Sequence, residues 1–262
     1  MGSRRAVLTD GRWIVRVRDA SATPKITLIC LAYAGGGPDI FRSWPGGLST
    51  NIELLAICLP GHGIRMGEKP YEDWVSLVDA AFAAISPYLS SPHVFYGHSF
   101  GARLAYELAH RADTAFPGLT RRLLLSGCRA PSWSQARPFM HKLSDAALLE
   151  ALRDMGGTPS EVLDNPRLMD LLLPVVRAEI RLAEIWGDEH GVGVSVPITA
   201  IYGREDGTDT REAVRSWLKF GCAGVEFVEM PGGHFFLHAH CDALLAAVDA
   251  RLREGVDETS GK

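Results

Sequence analysis

The residues with the most chemistry in this chain are a serine, a histidine and a group of carboxylates, each placed where an apolar run ends. Gly97-His98-Ser99-Phe100-Gly101 follows apolar Val94, Phe95 and Tyr96 and precedes a helical pattern over 102–111. A strand that reverses into a helix there leaves Ser99 on a strained backbone with its hydroxyl exposed. A Cβ at position 97 or 101 would strike the neighbouring strand and helix. The competing reading of Ser99 is an ordinary helix-capping serine. A serine hydroxyl is a poor nucleophile at neutral pH and needs a base within hydrogen-bond reach. The apolar run 225–228 leads into Met230-Pro231-Gly232-Gly233-His234, whose glycines let the loop bend an imidazole toward the serine. The run 198–202 leads into Gly203-Arg204-Glu205-Asp206-Gly207. Asp206 is the first choice to orient that imidazole, with Glu205 and Asp209 as local alternatives.

Acyl transfer also needs N–H donors aimed at the developing oxyanion. The amide of Phe100, next after the serine, is one candidate. The loop Tyr33-Ala34-Gly35-Gly36-Gly37, which follows the apolar run 26–32, offers Ala34 as the other. That loop lacks the Lys-Ser/Thr of a P-loop and the second half of a dinucleotide fingerprint, so a backbone amide is the better use of it. Among the other histidines, His98 packs inside the elbow, while His238 and His240 read as solvent-facing or helix-capping residues. No carboxylate or cysteine pattern with zinc spacing accompanies them, so no metal is expected.

The elements that must position these groups alternate along the chain. Strand candidates cover 13–18, 26–32, 54–59, 94–96, 123–125, 198–202 and 225–228, and helical patterns cover 74–88, 102–111, 211–220 and 242–253. Repeated strand, helix, strand implies a mostly parallel central sheet with helices on both faces. With the elbow at Ser99 this is the α/β-hydrolase fold, whose chemistry sits at the carboxyl ends of the strands. Residues 1–129 and 188–254 would form the core. Between them, 130–187 holds no strand candidate. Ser144 caps a helix carrying Leu148, Leu149 and Leu152 that stops at Gly156-Gly157, and Asn165-Pro166 starts a second, strongly apolar helix. The expectation is a helical lid insertion lining an apolar cavity; a helix buried all round is the alternative. Residues 255–262 read as a polar, disordered tail.

The chain has 262 residues, 47% hydrophobic and 22% charged, with a net charge of −4. That is ordinary for a soluble globular protein, and without a basic patch bearing aromatics it argues against nucleic acid as a partner. No run approaches the ~20 apolar residues of a membrane span, and Met1-Gly2-Ser3-Arg4-Arg5 lacks the apolar stretch of a secretion signal. Of five scattered cysteines, Cys30, Cys58, Cys128, Cys222 and Cys241, three sit in or beside apolar strand candidates, which suits reduced core thiols in a cytoplasmic protein.

Several blocks in order resemble the type II thioesterases that accompany polyketide synthases and nonribosomal peptide synthetases. They run from about residue 28 to 237: Ala34-Gly35-Gly36-Gly37 with Phe41 and Trp44, Leu59-Pro60-Gly61-His62-Gly63-Ile64-Arg65, and the elbow. Gly156-Gly157-Thr158-Pro159 and Pro174-Val175-Val176-Arg177-Ala178-Glu179 resemble the family's helical-lid blocks. Gly203 to Asp206 and Gly232-Gly233-His234-Phe235-Phe236-Leu237 complete the set. The resemblance implies Ser99 as nucleophile, Asp206 as acid and His234 as base, with the amides of Ala34 and Phe100 as oxyanion hole. The family often has Pro-His where this chain has Ala32-Tyr33, Arg in place of His62, and Asp in place of Glu179.

The resemblance further implies a substrate acyl group held as a thioester on the phosphopantetheine arm of a carrier protein, hydrolysed to release stalled or wrong acyl groups. The enzyme would need no cofactor of its own. Carrier proteins are generally acidic, so exposed arginines such as Arg65 or Arg137 are candidates for docking. Nothing demands an oligomer, and a monomer is expected. The rival readings are an esterase or acyl-coenzyme A thioesterase of the same fold, and a non-catalytic binding module on a hydrolase scaffold.

Overall fold

The computed structural model describes residues 7–9, 12–18, 25–133 and 138–257. Its strands are β1 (Val7–Thr9), β2 (Ile14–Arg18), β3 (Ile26–Leu31), β4 (Ile52–Ile57), β5 (His93–His98), β6 (Thr120–Ser126), β7 (Ile198–Gly203) and β8 (Val225–Met230). Its helices are α1 (Trp74–Ile85), α2 (Phe100–Ala115), α3 (Asp145–Met155), α4 (Ser160–Leu163), α5 (Pro166–Ile185), α6 (Arg211–Val214), α7 (Phe236–Ala239) and α8 (Cys241–Asp257). The strands form one sheet in the order β1-β2-β4-β3-β5-β6-β7-β8. β1 and β2 pair antiparallel with their neighbours and all later pairings are parallel. The chain steps from β3 outward to β4, then returns to the other side of β3 as β5. A ligand crevice forms at such a switch point, outside the carboxyl ends of the strands. The loop after β3 and the elbow after β5 both open there.

Strict alternation along the buried strands divides the core in two. Ile29, Leu31, Phe95, Leu123 and Leu125 face α1 and α2. Leu28, Cys30, Val94, Tyr96 and Leu124 face the other way, against Phe41, Trp44 and the Leu244, Leu245, Val248 and Leu252 stripe of α8. Both sheet faces are therefore covered, which is why β3, β4 and β5 are buried at every position and mostly apolar, with Thr27, Glu53, His93 and His98 as the polar exceptions.

The element boundaries differ from the sequence reading where tertiary contacts decide. β4 begins two residues earlier and ends at Ile57, because Leu59-Pro60-Gly61 turns away; the Leu59 carbonyl accepts from His62 N–H at 3.2 Å. The 211–220 pattern is one α turn followed by a 3-10 turn, Arg215–Lys219. There Trp217 is drawn fully into the core and donates its indole N–H to Cys128 O at 2.7 Å. β1 has no counterpart among the strands read from sequence. The chain stays helical to Asp257, past the start of the expected tail. Residues 258–262, the Met1–Arg5 stretch and Arg137 lie outside the described residues.

Between β6 and β7 the described chain forms helices and no strand, apart from an isolated parallel bridge between Val194 and Gly221. Ser144 accepts from Ala147 N–H at the start of α3, and Gly156 closes that helix in the left-handed conformation. Asn165 caps α5 and Pro166 occupies its first turn. α5 is one-sided rather than buried all round: Met169, Leu173, Val176 and Ile180 pack inward with Leu148 and Leu163, while Leu171 is 60% exposed. No helix among the described residues is long and apolar enough to cross a membrane.

Candidate active site

β5 delivers Ser99 at φ 55° and ψ −113°, a region that side-chain-bearing residues avoid. The surrounding backbone holds it there. Its N–H donates to Ser126 O at 2.8 Å, and its carbonyl accepts from Ala102 and Arg103 N–H at 3.1 and 3.3 Å. A Cβ on Gly97 would lie 2.2 Å from the Gly101 carbonyl oxygen, and one on Gly101 would lie 2.3 Å from that of Leu31. Strand, turn and helix can close this tightly only with glycine at both positions. α2 begins at Phe100, so the positive end of a 16-residue helix lies at the serine. The Phe100 N–H is one of the first-turn amides that find no acceptor within their own helix.

The loops after β7 and β8 bring up the other two groups and are tied to each other. Arg204 N–H donates to Met230 O at 2.8 Å, and Glu205 N–H donates to Gly232 O at 3.0 Å. His234 Nδ1 donates to Asp206 Oδ2 at 2.8 Å, both side chains being almost fully buried. An ionised carboxylate only accepts, so the neutral imidazole carries its proton on Nδ1 and leaves Nε2 as the free base. Asp206 Oδ1 accepts from the N–H groups of Thr208 and Asp209 at 2.7 and 2.9 Å, which fixes the carboxylate plane.

The two alternative acids are placed differently. Glu205 is exposed. Asp209 is fully buried but turned to Arg129 at 2.8 Å and Arg103 at 3.8 Å. Burial would push its carboxyl up, yet the Arg103 and Arg129 guanidiniums hold it below the ordinary value.

Ser99 and His234 line one cavity of about 580 Å³, which Ala34 also borders. Its apolar wall comes from both halves of the molecule: Ala34 and Phe235 from the loops of the core, and Met140, Leu152, Met155, Ile180 and Trp186 from the helical segment. Ala34 sits in a turn closed by Gly36 N–H donating to Tyr33 O at 2.8 Å. Among the described residues no group of three or more His, Cys, Asp or Glu side chains could hold a metal.

The remaining histidines take supporting places. His98 is buried under the elbow with Nδ1 against Ser126 Oγ at 2.9 Å. Burial first, then the neighbouring His234 and His238, push it well below the ordinary histidine value, so it stays neutral. His238 is exposed, but not idle: its Nε2 lies 2.9 Å from the Tyr33 hydroxyl, which donates to Gly157 O at 3.1 Å. Burial pushes the Tyr33 phenol up to about 12, so it remains a donor. His240 is half-buried, and its carbonyl accepts from Leu244 N–H at 3.1 Å at the start of α8.

Arg65 corrects the sequence reading. It is buried rather than exposed, donates to Cys58 O at 3.0 Å and to Glu68 Oε2 at 2.6 Å, and lies 4.1 Å over the Trp13 ring. It is not free to meet a partner. Sequence reasoning also missed Arg103 and Arg129 on the cavity wall. Arg103 stands four residues after Ser99, one helical turn on, a spacing that could have flagged it.

The comparisons agree with this architecture. A family model described as "Thioesterase domain" matches residues 26–252. The gramicidin S biosynthesis protein GrsT of Aneurinibacillus migulanus is 32% identical over 227 residues, covering 87% of this chain and 88% of that protein. A protein of Brevibacillus parabrevis named linear gramicidin dehydrogenase LgrE is 30% identical over 249 residues, 94% of each chain. The solved structure of the type II thioesterase BorB from the borrelidin biosynthetic cluster superposes with a TM-score of 0.85 at 33% identity, covering 94% of this chain and all (100%) of that one. With the family model spanning most of its length, the chain belongs to the thioesterase family.

Proposed function

We propose that this protein hydrolyses acyl thioesters carried on the phosphopantetheine arm of carrier protein domains, through an acyl-enzyme on Ser99. The observation that carries the reading is the buried Asp206–His234 pair, which shares with Ser99 a single cavity walled largely by apolar side chains. His234 Nε2 takes the Ser99 proton as Oγ attacks the thioester carbonyl carbon. The amides of Phe100 and Ala34 receive the oxyanion. Collapse breaks the C–S bond, and the pantetheine sulfur leaves with the proton from His234. A water then gives its proton to His234 and attacks the acyl-enzyme, which releases a carboxylic acid and restores Ser99. Asp206 keeps the imidazole in the right tautomer and stabilises the imidazolium without taking the proton.

Residues 130–187 act as a lid in this scheme, since Met140, Leu152, Met155 and Ile180 lie over the cavity and exclude water. Release of stalled or wrong acyl groups during polyketide or nonribosomal peptide assembly fits the 27%-identical solved structure of ClbQ, named for the colibactin NRPS/PKS pathway. The enzyme works as a cytoplasmic monomer, and the phosphopantetheine belongs to its substrate. The dehydrogenase name of LgrE does not transfer. The glycine loop after β3 lacks the rest of a dinucleotide fingerprint, and its Gly35 amide is taken by Glu179 at 2.7 Å.

Turnover of one acyl group presented on a carrier protein, on coenzyme A and as a simple oxyester tests the substrate class. Preference for the carrier-bound thioester is expected; equal rates on the oxyester would make the protein a general esterase. A serine-directed fluorophosphonate should label wild type and not Ser99→Ala. Folded wild-type protein that fails to label would be a binding module instead.

A further inference from the structure

Helix α5 sends one buried carboxylate into the heart of the catalytic rim. Glu179 is 3% exposed, and each of its oxygens has one partner. Oε2 accepts the Gly35 N–H at 2.7 Å, and Oε1 lies 2.7 Å from His62 Nε2. A buried carboxylate costs several kcal/mol unless it is fully partnered, so an apolar residue would suit the packing of α5 better. What the carboxylate adds is a grip on a backbone amide one residue beyond Ala34.

The geometry of that turn gives the grip its meaning. Tyr33, Ala34, Gly35 and Gly36 form a β-turn closed by Gly36 N–H to Tyr33 O, with Gly35 in the third position at φ +84°. Positive φ there marks a type II turn. Types I and II differ by a flip of the central peptide, which here is the Ala34–Gly35 unit whose N–H Glu179 holds. Val176 sits beside it: a Cβ on Gly35 would lie 2.9 Å from Val176 Cγ2. One face of α5 therefore both crowds and bonds this turn.

We propose that Glu179 is a positioning residue for the oxyanion site: oriented by His62, its carboxylate fixes the Ala34–Gly35 peptide and, through the Tyr33–Gly36 turn so held, the place of the adjoining Ala34 N–H at the cavity. This rests on the reading of Ala34 as an oxyanion donor. Glu179 touches neither substrate nor reacting atoms; it acts through the turn.

The histidine partner makes the lock sensitive to pH. Burial alone would lower the His62 value, but the Glu179 carboxylate more than offsets it and holds it above the ordinary histidine value. Around His62 stand Glu179 on α5, Cys58 just past β4, Arg65 in its own loop and, near Cys58, Asp39 in the turn Pro38–Phe41. A raised value means the charged pair is complete below it and weakens as pH rises through it. The ion-pair component of the lock is therefore lost on the alkaline side, leaving only a neutral hydrogen bond from His62 Nε2–H to Glu179 Oε1.

The test uses the full chain and an acyl N-acetylcysteamine thioester, with Ser99→Ala run in parallel. Glu179→Leu and Glu179→Ala, which both remove the acceptor for the Gly35 N–H, should lower kcat by about 30- to 100-fold with KM within about threefold, somewhat less than loss of a whole oxyanion donor. His62→Gln, which keeps only a neutral donor to Glu179, should run at wild type's alkaline-limb rate across the pH range and lose the alkaline decline seen in wild type. Glu179 variants within twofold of wild-type kcat, while Ser99→Ala is inactive, overturn the proposal and leave the catalytic reading intact. Activity surviving in Ser99→Ala overturns that reading instead. Should the Glu179 variants fail to fold, the pH profile of His62→Gln decides: a decline identical to wild type overturns the proposal, and its loss supports it.

Discussion

The rim of the sheet and the helical segment over it are held by different means. At the rim, backbone geometry does the holding: glycines at 97 and 101 let atoms approach to distances no side chain would permit, and the 204–205 and 230–232 loops are bonded main chain to main chain. Over the cavity, long side chains do it. Arg177 of α5 donates to the carbonyls of His141 and Leu143, both at 2.7 Å, and to Asp145 at 2.6 Å. Glu184 of the same helix accepts from Met140 N–H at 2.6 Å. Backbone fixation gives one geometry, which chemistry needs. Side-chain ties can be loosened or exchanged singly, which suits a wall that shapes a cavity rather than one that holds reacting groups.

The contrast predicts that rim substitutions abolish turnover without altering substrate preference. Ser99→Ala comes first, with kcat expected to fall by about a million-fold, the scale seen when a triad nucleophile is removed. Circular dichroism and the melting temperature should stay near wild type, because the strained Ser99 backbone is held by main-chain bonds that alanine keeps. Residual turnover within tenfold of wild type would place the nucleophile elsewhere. Asp206→Asn follows. It leaves the shape of the loop but favours the wrong imidazole tautomer, so kcat should drop by about ten thousand-fold at neutral pH. The ratio of rates across a series of acyl chain lengths should not change in either variant.

The two regions were also legible in the sequence to different degrees. The elbow shows in five consecutive residues, because the constraint is local and steric. Asp206 and His234 show because each ends an apolar run, and parallel sheets carry such ends to one rim. The buried ties do not show. His62 and Glu179 lie 117 residues apart, and nothing in either local pattern signals the other. Arg65 looked like a surface arginine because its burial depends on the distant Trp13 ring. Helices α3 and α5 were readable from their caps and apolar spacing, but which face meets the cavity is settled only by packing.

The seam between the regions offers a third, smaller effect. Asp209 follows β7, and Arg129 follows β6 where the helical segment begins. The Arg129 main-chain N–H and guanidinium both donate to the carboxylate, at 3.2 and 2.8 Å. Arg129→Met leaves a buried carboxylate with Arg103 as its remaining charged partner and the residue-129 N–H as a neutral donor, and breaking such a pair costs about 3 kcal/mol. For a chain of this size that lowers the melting temperature by about 6–12 °C. The sign with pH follows from the lowered Asp209 value. Its stabilisation is present above the ordinary carboxylate range and is lost as pH falls through the lowered value. The variant should therefore begin acid unfolding at higher pH than wild type. Thermal melts from pH 7 down to pH 3 would measure both, and matching acid midpoints would remove Asp209 from the account.

The smallest effect, and the one that most sharpens the contrast, is expected from Arg177→Ala. Two of its three partners are carbonyls in the connection that leads into α3, and the third, Asp145, is largely exposed and contributes little. Losing the guanidinium frees that connection and, with it, the Met140 side of the cavity, while Ser99, Asp206 and His234 keep their main-chain supports. KM for short acyl thioesters should rise by about three- to tenfold, and kcat should stay within about twofold, because the interaction removed is one the ground state and transition state share. Longer acyl groups, which gain from a looser wall, should suffer less, so the preference shifts toward length. An equal fall in kcat for all chain lengths would mean that the helical wall takes part in the chemical step, and the division drawn between rim and wall would not hold.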